Sequence, residues 1–130
     1  WFEADPRMLE VARSIDEVSL RDCDPRGRCL ARQPRLLVGG NGVSGSAFVD
    51  NADFRRYVFH TFHARVLDME SAACAMVAYG NGVPFIAFRS LSDLAGGGPG
   101  ENEMEAFFGL AADNAAHVLL AFLRAWPDGS

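Results

Sequence analysis

The chain contains no lysine; all twelve of its basic residues are arginine. No Lys-Ser/Thr pair therefore follows its glycines, which excludes the phosphate-binding P-loop. The glycine spacing is wrong for a dinucleotide fingerprint as well. The arginine bias itself carries no functional information. Positive charge is also scarce in total: the net charge is −5 and the isoelectric point is near 5.1. That balance argues against a nucleic-acid surface, which would be basic. No uninterrupted apolar run approaches the ~20 residues of a membrane span, so no membrane partner is expected. Only three histidines are present, none of them near Cys23 or Cys29, so no metal site is expected. Repeats at a fixed period are absent, as is low complexity beyond short glycine runs. The first residue is Trp1 rather than Met, so the start of translation is not shown, and nothing there resembles a signal peptide.

What is present suits a globular domain. A chain of 130 residues, 49% hydrophobic, fits one domain or a substantial piece of one, burying roughly two-thirds of its unfolded surface.

Asp5-Pro6 reads as an N-cap followed by proline at the first helical position. Met8, Leu9, Val11, Ala12 and Ile15 then form an apolar stripe at helical spacing. This predicts a helix reaching Val18 that covers a sheet. Residues 19–34 are polar and form a long loop carrying Cys23 and Cys29, which are either a bridge or two unrelated thiols. Leu36 to Gly39 reads as a short buried strand ending in a glycine-rich stretch through Val49. Such glycines serve either a strand-end turn or a close backbone approach to a ligand. Asn51 is the N-cap of a short helix to Phe59, with Phe54 and Val58 inward.

Ala64 to Leu67 reads as the next strand, followed by an Ala-rich helix from Ser71 to Tyr79. Ala72, Ala73, Met76 and Val77 are expected on its packed face, Cys74 is expected to be buried, and Asn81-Gly82 marks its stop. The apolar run Val83 to Arg89 is of the kind buried in a parallel sheet. Ala95 to Gly100 is a glycine-rich loop, either a lid or a plain connector. Asn102 and Glu105 make a capping-box pattern opening a helix to about Leu123. Phe107, Leu110, Ala111, Val118, Leu119 and Phe122 are its core face. The alternation of strand and helix gives the class α/β. Glu70 and Asp93 then lie beyond the carboxyl ends of two strands, where open α/β sheets bind ligands. Two carboxylates there divide labour, one holding hydroxyls and one handling a proton. Taken singly, Glu70 reads equally well as a residue favoured by a helix dipole, and Asp93 as a loop cap. His60, His63 and His117 read as surface or helix-end residues.

Three motifs together resemble the nucleoside phosphorylase and nucleosidase family. They are Val43-Ser-Gly-Ser-Ala-Phe-Val49, Asp68-Met-Glu-Ser-Ala-Ala73 and Arg89-Ser-Leu-Ser-Asp93-Leu-Ala95. The resemblance runs from about Leu36 to Leu123 and corresponds to the C-terminal half of a family domain, the N-terminal half being absent. It implies a single domain over 1–130 with a three-layer α/β/α fold around a central mixed sheet, incomplete here. The wording Gly39-Gly-Asn-Gly-Val-Ser-Gly-Ser-Ala-Phe-Val-Asp-Asn51, with Phe2-Glu-Ala-Asp5, looks most like the plant branch, which includes storage proteins.

Residue by residue, the resemblance implies that Phe48 stacks on a purine and Val49 bonds it through the backbone. Met69 packs beneath the ribose and Glu70 accepts from its hydroxyls. Asp93 protonates the departing base, while Arg89 and Ser92 orient the acids. It implies N-glycosidic cleavage by water or by phosphate, with no cofactor beyond phosphate as a co-substrate and no metal. The different-class alternative is a storage protein or truncated member without turnover. A purine nucleoside is the implied partner, and a homodimer the implied assembly. Ser46 stands where bacterial nucleosidases often carry Asp. The absent half supplies the phosphate loop or the water-activating acid. The plant secreted branch also has a paired-cysteine loop at this place, which favours a Cys23–Cys29 disulfide and a secreted or vacuolar setting, with the cytoplasm as the alternative.

Overall fold

The computed structural model describes residues 1–92, 94–96 and 104–127. In chain order they form α1 (Pro6–Arg13), β1 (Asn41–Ser44), α2 (Ala52–Phe62), β2 (Ala64–Asp68), α3 (Ser71–Gly80) and α4 (Met104–Ala125). β1 and β2 pair in parallel, with Ser44 opposite Asp68 at the carboxyl end. Parallel strands need a crossover, and α2 supplies it. The α/β class therefore holds, as a small parallel sheet with helices, consistent with an incomplete domain. The sheet among the described residues has two strands.

Both strand expectations built on apolar runs are corrected. The first strand is not Leu36–Gly39 but lies just beyond it. Gly39 and Gly40 have φ of 85° and 105°, so the backbone turns out of the extended region before β1 begins. At Gly40 the positive φ disfavours any side chain, and a Cβ there would also displace the Arg65 side chain, 2.9 Å away at Cδ. The run Val83 to Arg89 forms no strand. The Phe85 carbonyl accepts a hydrogen bond from the Asp5 amide at 2.8 Å, so the run is tied to the chain entering α1 rather than to a ladder.

The α1 cap forms as expected, the Asp5 carboxylate accepting from the Met8 amide at 3.0 Å. The helix ends at Arg13 rather than Val18. There the Ser14 hydroxyl bonds back to the Val11 carbonyl at 2.8 Å, a local bond that competes with helix continuation. Its stripe does not cover a sheet. Val11 and Ala12 pack with Phe122 of α4, joined by Met8, Ile15, Ile86, Phe88 and Trp126. Phe122 sits between the rings of Phe88 and Trp126, with centroids 5.0 and 5.4 Å away.

In α2 the Asn51 side chain caps the Phe54 amide at 2.9 Å, and the helix runs on to Phe62, where His63 closes it at φ 52°. Val58 is buried, but Phe54 is exposed and lies against the Tyr57 ring. α3 is apolar on every side, so its pattern singles out no face. Ala75 is its buried residue, whereas Ala73, Met76, Val77 and Cys74 are exposed, contrary to expectation. Its stop is as read, with the Asn81 amide donating to Val77 and Ala78 carbonyls.

On α4, Leu110, Val118 and Phe122 are buried, while Leu119 is exposed. Asn102 lies outside the described residues, as does the Glu105 side chain. Residues 107–125 are long and apolar enough to cross a membrane by length and composition, which a search for uninterrupted runs misses because Asp113 and Asn114 break the run. Asn114 is instead buried, and exchanges hydrogen bonds of 2.9 Å with the Arg21 amide and carbonyl. Phe122 of the same helix packs on α1, while 28% of the apolar stretch is buried in all.

Candidate functional site

Where β1 and β2 end together, Asp68 is the centre of a polar cluster. Its carboxylate accepts from the hydroxyls of Ser44 and Ser71, from the Ser71 amide at 3.2 Å, and from Arg89 Nε at 2.6 Å. Only 12% of the Asp68 side chain is exposed. Burial pushes its pKa up, but the Ser44, Ser71 and Arg89 hydrogen bonds outweigh that and bring it down to about 2. Asp68 is therefore ionised throughout the neutral range. Ser44 Oγ accepts in turn from the Ala72 amide at 2.9 Å. The first two amides of α3, which lack partners inside a helix, are thus satisfied by Asp68 and Ser44.

That arrangement decides how Glu70 is used. Glu70 occupies the N-cap position of α3 but makes no side-chain capping bond. Its side chain is 68% exposed, with Arg89 Nη2 3.8 Å from Oε2. The capping task has passed to Asp68, and Glu70 points outward with one guanidinium beside it. Met69 is exposed on the same turn. Arg89 also donates from Nε to Ser71 Oγ at 2.9 Å. A shallow groove of about 220 Å³ runs from Arg89, Ser90 and Ser92 to Phe108 and Ala112 of α4. The structure therefore brings Glu70, Met69 and Arg89 together, with Ser92 bordering the adjoining groove. Asp93 lies outside the described residues.

Phe48 is exposed and Val49 half-buried, both just before α2. No hydrogen bond or ring contact joins them to Glu70 among the described residues. The next residue, Asp50, accepts from the Gly96 amide at 2.7 Å. Arg55 Nη1 donates to the Ala95 carbonyl at 2.8 Å. Gly96 has φ 67°, and a Cβ there would lie 2.2 Å from the Ala52 amide nitrogen, so only glycine fits. Residues 95–96 are thereby latched to the start of α2, beside Phe48 and Val49.

Cys23 and Cys29 are disulfide-bonded. Inside their loop, Asp24 is buried and accepts from the Arg26 and Arg28 amides and from Arg28 Nε. Those bonds, the Arg28 amide foremost, hold its pKa below the ordinary value against the opposing effect of burial. No group of three His, Cys, Asp or Glu side chains able to hold a metal occurs among the described residues.

Sequence reasoning missed Asp68, Ser44, Asp50 and Arg55. One signal was available for Asp68: an acidic residue ending a strand, three positions before the first serine of a helix, has the spacing of an N-cap.

The family described as the phosphorylase superfamily matches residues 1–124. A protein named 5′-methylthioadenosine/S-adenosylhomocysteine nucleosidase from Tolumonas auensis is 35% identical over 125 residues, covering 95% of this chain and 48% of that protein. Its namesake in Mycobacterium bovis is 28% identical over 94% of this chain and 48% of its own length. A third, from Treponema pallidum, is 47% identical over 60 residues, 46% of this chain and 22% of that protein. The chain thus spans about half the length, or less, of the curated relatives it matches. No solved structure matches it.

Proposed function

The chain belongs to the phosphorylase superfamily, and from that premise we propose that it supplies the base and ribose side of a site cleaving the N-glycosidic bond of purine nucleosides. Hydrolysis of the methylthioadenosine or adenosylhomocysteine type is the first reading, because the relatives reported above carry that name. Phosphorolysis, with phosphate as co-substrate, is the second. The same names lend no support to a storage role.

The observation that carries the reading is the release of Glu70 from helix capping. A carboxylate that caps nothing, at the carboxyl end of two parallel strands with Arg89 3.8 Å away, is available to accept from vicinal hydroxyls. It also stabilises positive charge developing on the sugar as the bond to the base breaks. In this reading Met69 packs beneath the ribose, Phe48 stacks on the purine, and Val49 bonds the base through its backbone. Asp93 delivers a proton to N7 while the C1′–N9 bond breaks, so that the base leaves neutral. Water, or phosphate, forms the new bond at C1′. Arg89 and Ser92 orient the two acids. A homodimer and an oxidising compartment, the latter supported by the Cys23–Cys29 bridge, belong to the same proposal.

The test is incubation of the chain with methylthioadenosine and with inosine, each with and without phosphate, scoring free base. Release without phosphate, abolished in Asp93→Asn, is the expected result. Release only with phosphate selects the second reading. No release from any mixture overturns the proposal that this chain acts as an enzyme.

A further inference from the structure

Asp68 touches no position assigned to the nucleoside above, yet it is the most heavily bonded side chain at the sheet edge. Its partners come from three elements: Ser44 ends β1, Ser71 begins α3, and Arg89 follows the Val83–Phe88 run. Such convergence serves more than strand-end packing, because the Arg89 guanidinium is divided between two carboxylates. Nε is committed to Asp68 at 2.6 Å, and Nη2 is left 3.8 Å from Glu70. A planar guanidinium fixed at one edge has its other edge fixed too. Ser44, itself hydrogen-bonded to Asp68, also occupies the Ala72 amide, one of the amides that the side chain of Glu70, at the N-cap, would otherwise take.

We propose that Asp68 is a positioning residue for the nucleoside site, capping α3 together with Ser44 and clamping Arg89 so that Glu70 stays turned outward to the ribose hydroxyls. This inference rests on the nucleoside reading for its ligand, but the clamp itself does not. Without Asp68, the Ser71 amide lacks its acceptor, Ser44 loses the partner that holds it at the Ala72 amide, and the Arg89 fork loses its fixed edge. Glu70 then turns back to cap the helix or pairs directly with Arg89, and either leaves the ribose hydroxyls without their acceptor.

Two readouts separate the clamp from the ligand. The first is the Arg89 Nε–H resonance by nitrogen-15 NMR, with no nucleoside present. It is expected to be protected from exchange in the native chain and lost in Asp68→Asn. The second compares the affinity of adenosine with that of 2′,3′-dideoxyadenosine, which lacks the hydroxyls. Asp68→Asn is expected to weaken adenosine roughly tenfold, the scale of coupling within one shared network, and to leave the dideoxy compound unchanged. Ser44→Ala, a milder variant for use if Asp68→Asn folds poorly, should move both readouts the same way. In an Arg89→Gln background, Asp68→Asn should add little. A protected Arg89 resonance persisting in Asp68→Asn overturns the clamp. Equal weakening of both nucleosides overturns the positioning role and leaves Asp68 merely structural. If the native chain binds neither nucleoside, the nucleoside reading fails and the positioning role falls with it, while the Arg89 resonance still decides the clamp.

Discussion

Two aspartates in this molecule are gripped by arginine and by backbone amides, and they differ in where the grip comes from. Asp24 is held by Arg26 and Arg28, all within four residues, in a loop closed by the Cys23–Cys29 disulfide. Asp68 is held by Ser44 and Arg89, 24 and 21 residues away, as well as by Ser71 nearby. Both carboxylates titrate below the ordinary value. The first knot ties its own loop together, next to the point where Arg21 is fastened to Asn114 of α4. The second joins β1, β2, α3 and the segment after Phe88, and so sets the relative placement of everything at the candidate site. A buried acid with partners distant in sequence is the better guide to a site.

The sharpest way to break that comparison is Asp68→Ala. It leaves two serine hydroxyls, a helix amide and Arg89 without their acceptor, and should cost about 2–3 kcal/mol in urea unfolding. Loss of the protected Arg89 resonance should accompany it. Replacing Cys23 and Cys29 by serine should cost a little less, about 2 kcal/mol by loop-closure entropy. It should leave that resonance intact, since the hydrogen bonds shown for Asp24 and Cys29 close within their own loop. If instead the cysteine variant disturbs Arg89, the two knots are coupled and the contrast fails.

How far these two regions were legible in the sequence follows the same division. Helix starts at Asp5-Pro6 and Asn51 were readable because a cap involves residues three apart. The three motifs marked Phe48, Val49, Met69, Glu70, Arg89, Ser92 and Asp93 as a group; the structure brings Glu70, Met69 and Arg89 together and shows no hydrogen bond or ring contact from Phe48 or Val49 to Glu70 among the described residues. The strand expected from Ala64 to Leu67 formed as β2, but the other two were misplaced because an apolar run is necessary for a buried strand but a ladder partner is also required. Leu36 to Gly39 ends in positive-φ glycines, and Val83 to Arg89 bonds to Asp5 instead. α3 was misread because a helix apolar all round has no periodicity from which to choose a face. The spacing of Asp68 from Ser71 offered a cap, but its bonds to Ser44 and Arg89 are tertiary and no spacing in the chain reveals them.

Acid should act on both aspartates in the same direction, with Asp68 the larger contributor. Its folded pKa of about 2 lies below the ordinary 3.8, so the unfolded chain binds its proton first as pH falls. The stability it contributes is complete above about pH 5, declines as the unfolded chain protonates, and is gone below pH 2. Allowing for solvent screening, that contribution is on the order of 1–2 kcal/mol. Urea midpoints of native and Asp68→Asn protein should therefore converge as pH is lowered from 5 to 2. Midpoints that stay equally far apart would show that the carboxylate's charge is not what Asp68 contributes.

The smallest expected effect is that of Asp24→Asn. With the disulfide closed, the loop is already restricted, and the asparagine oxygen still accepts from the Arg26 and Arg28 amides. Only the ionic part of the Arg28 contact, 2.7 Å at Nη2, is weakened, and that arginine is nearly half exposed. Thermal midpoints should therefore drop slightly in the oxidised protein and more in the reduced one, because two constraints on one loop are redundant when both are present. Asp68→Asn should lower the midpoint equally in both redox states. Melting the single variants, oxidised and reduced, measures both couplings. A coupling to the disulfide at Asp24 with none at Asp68 separates a local knot from one that spans the site. The same coupling at both positions would mean that the disulfide loop and the sheet edge unfold as one unit.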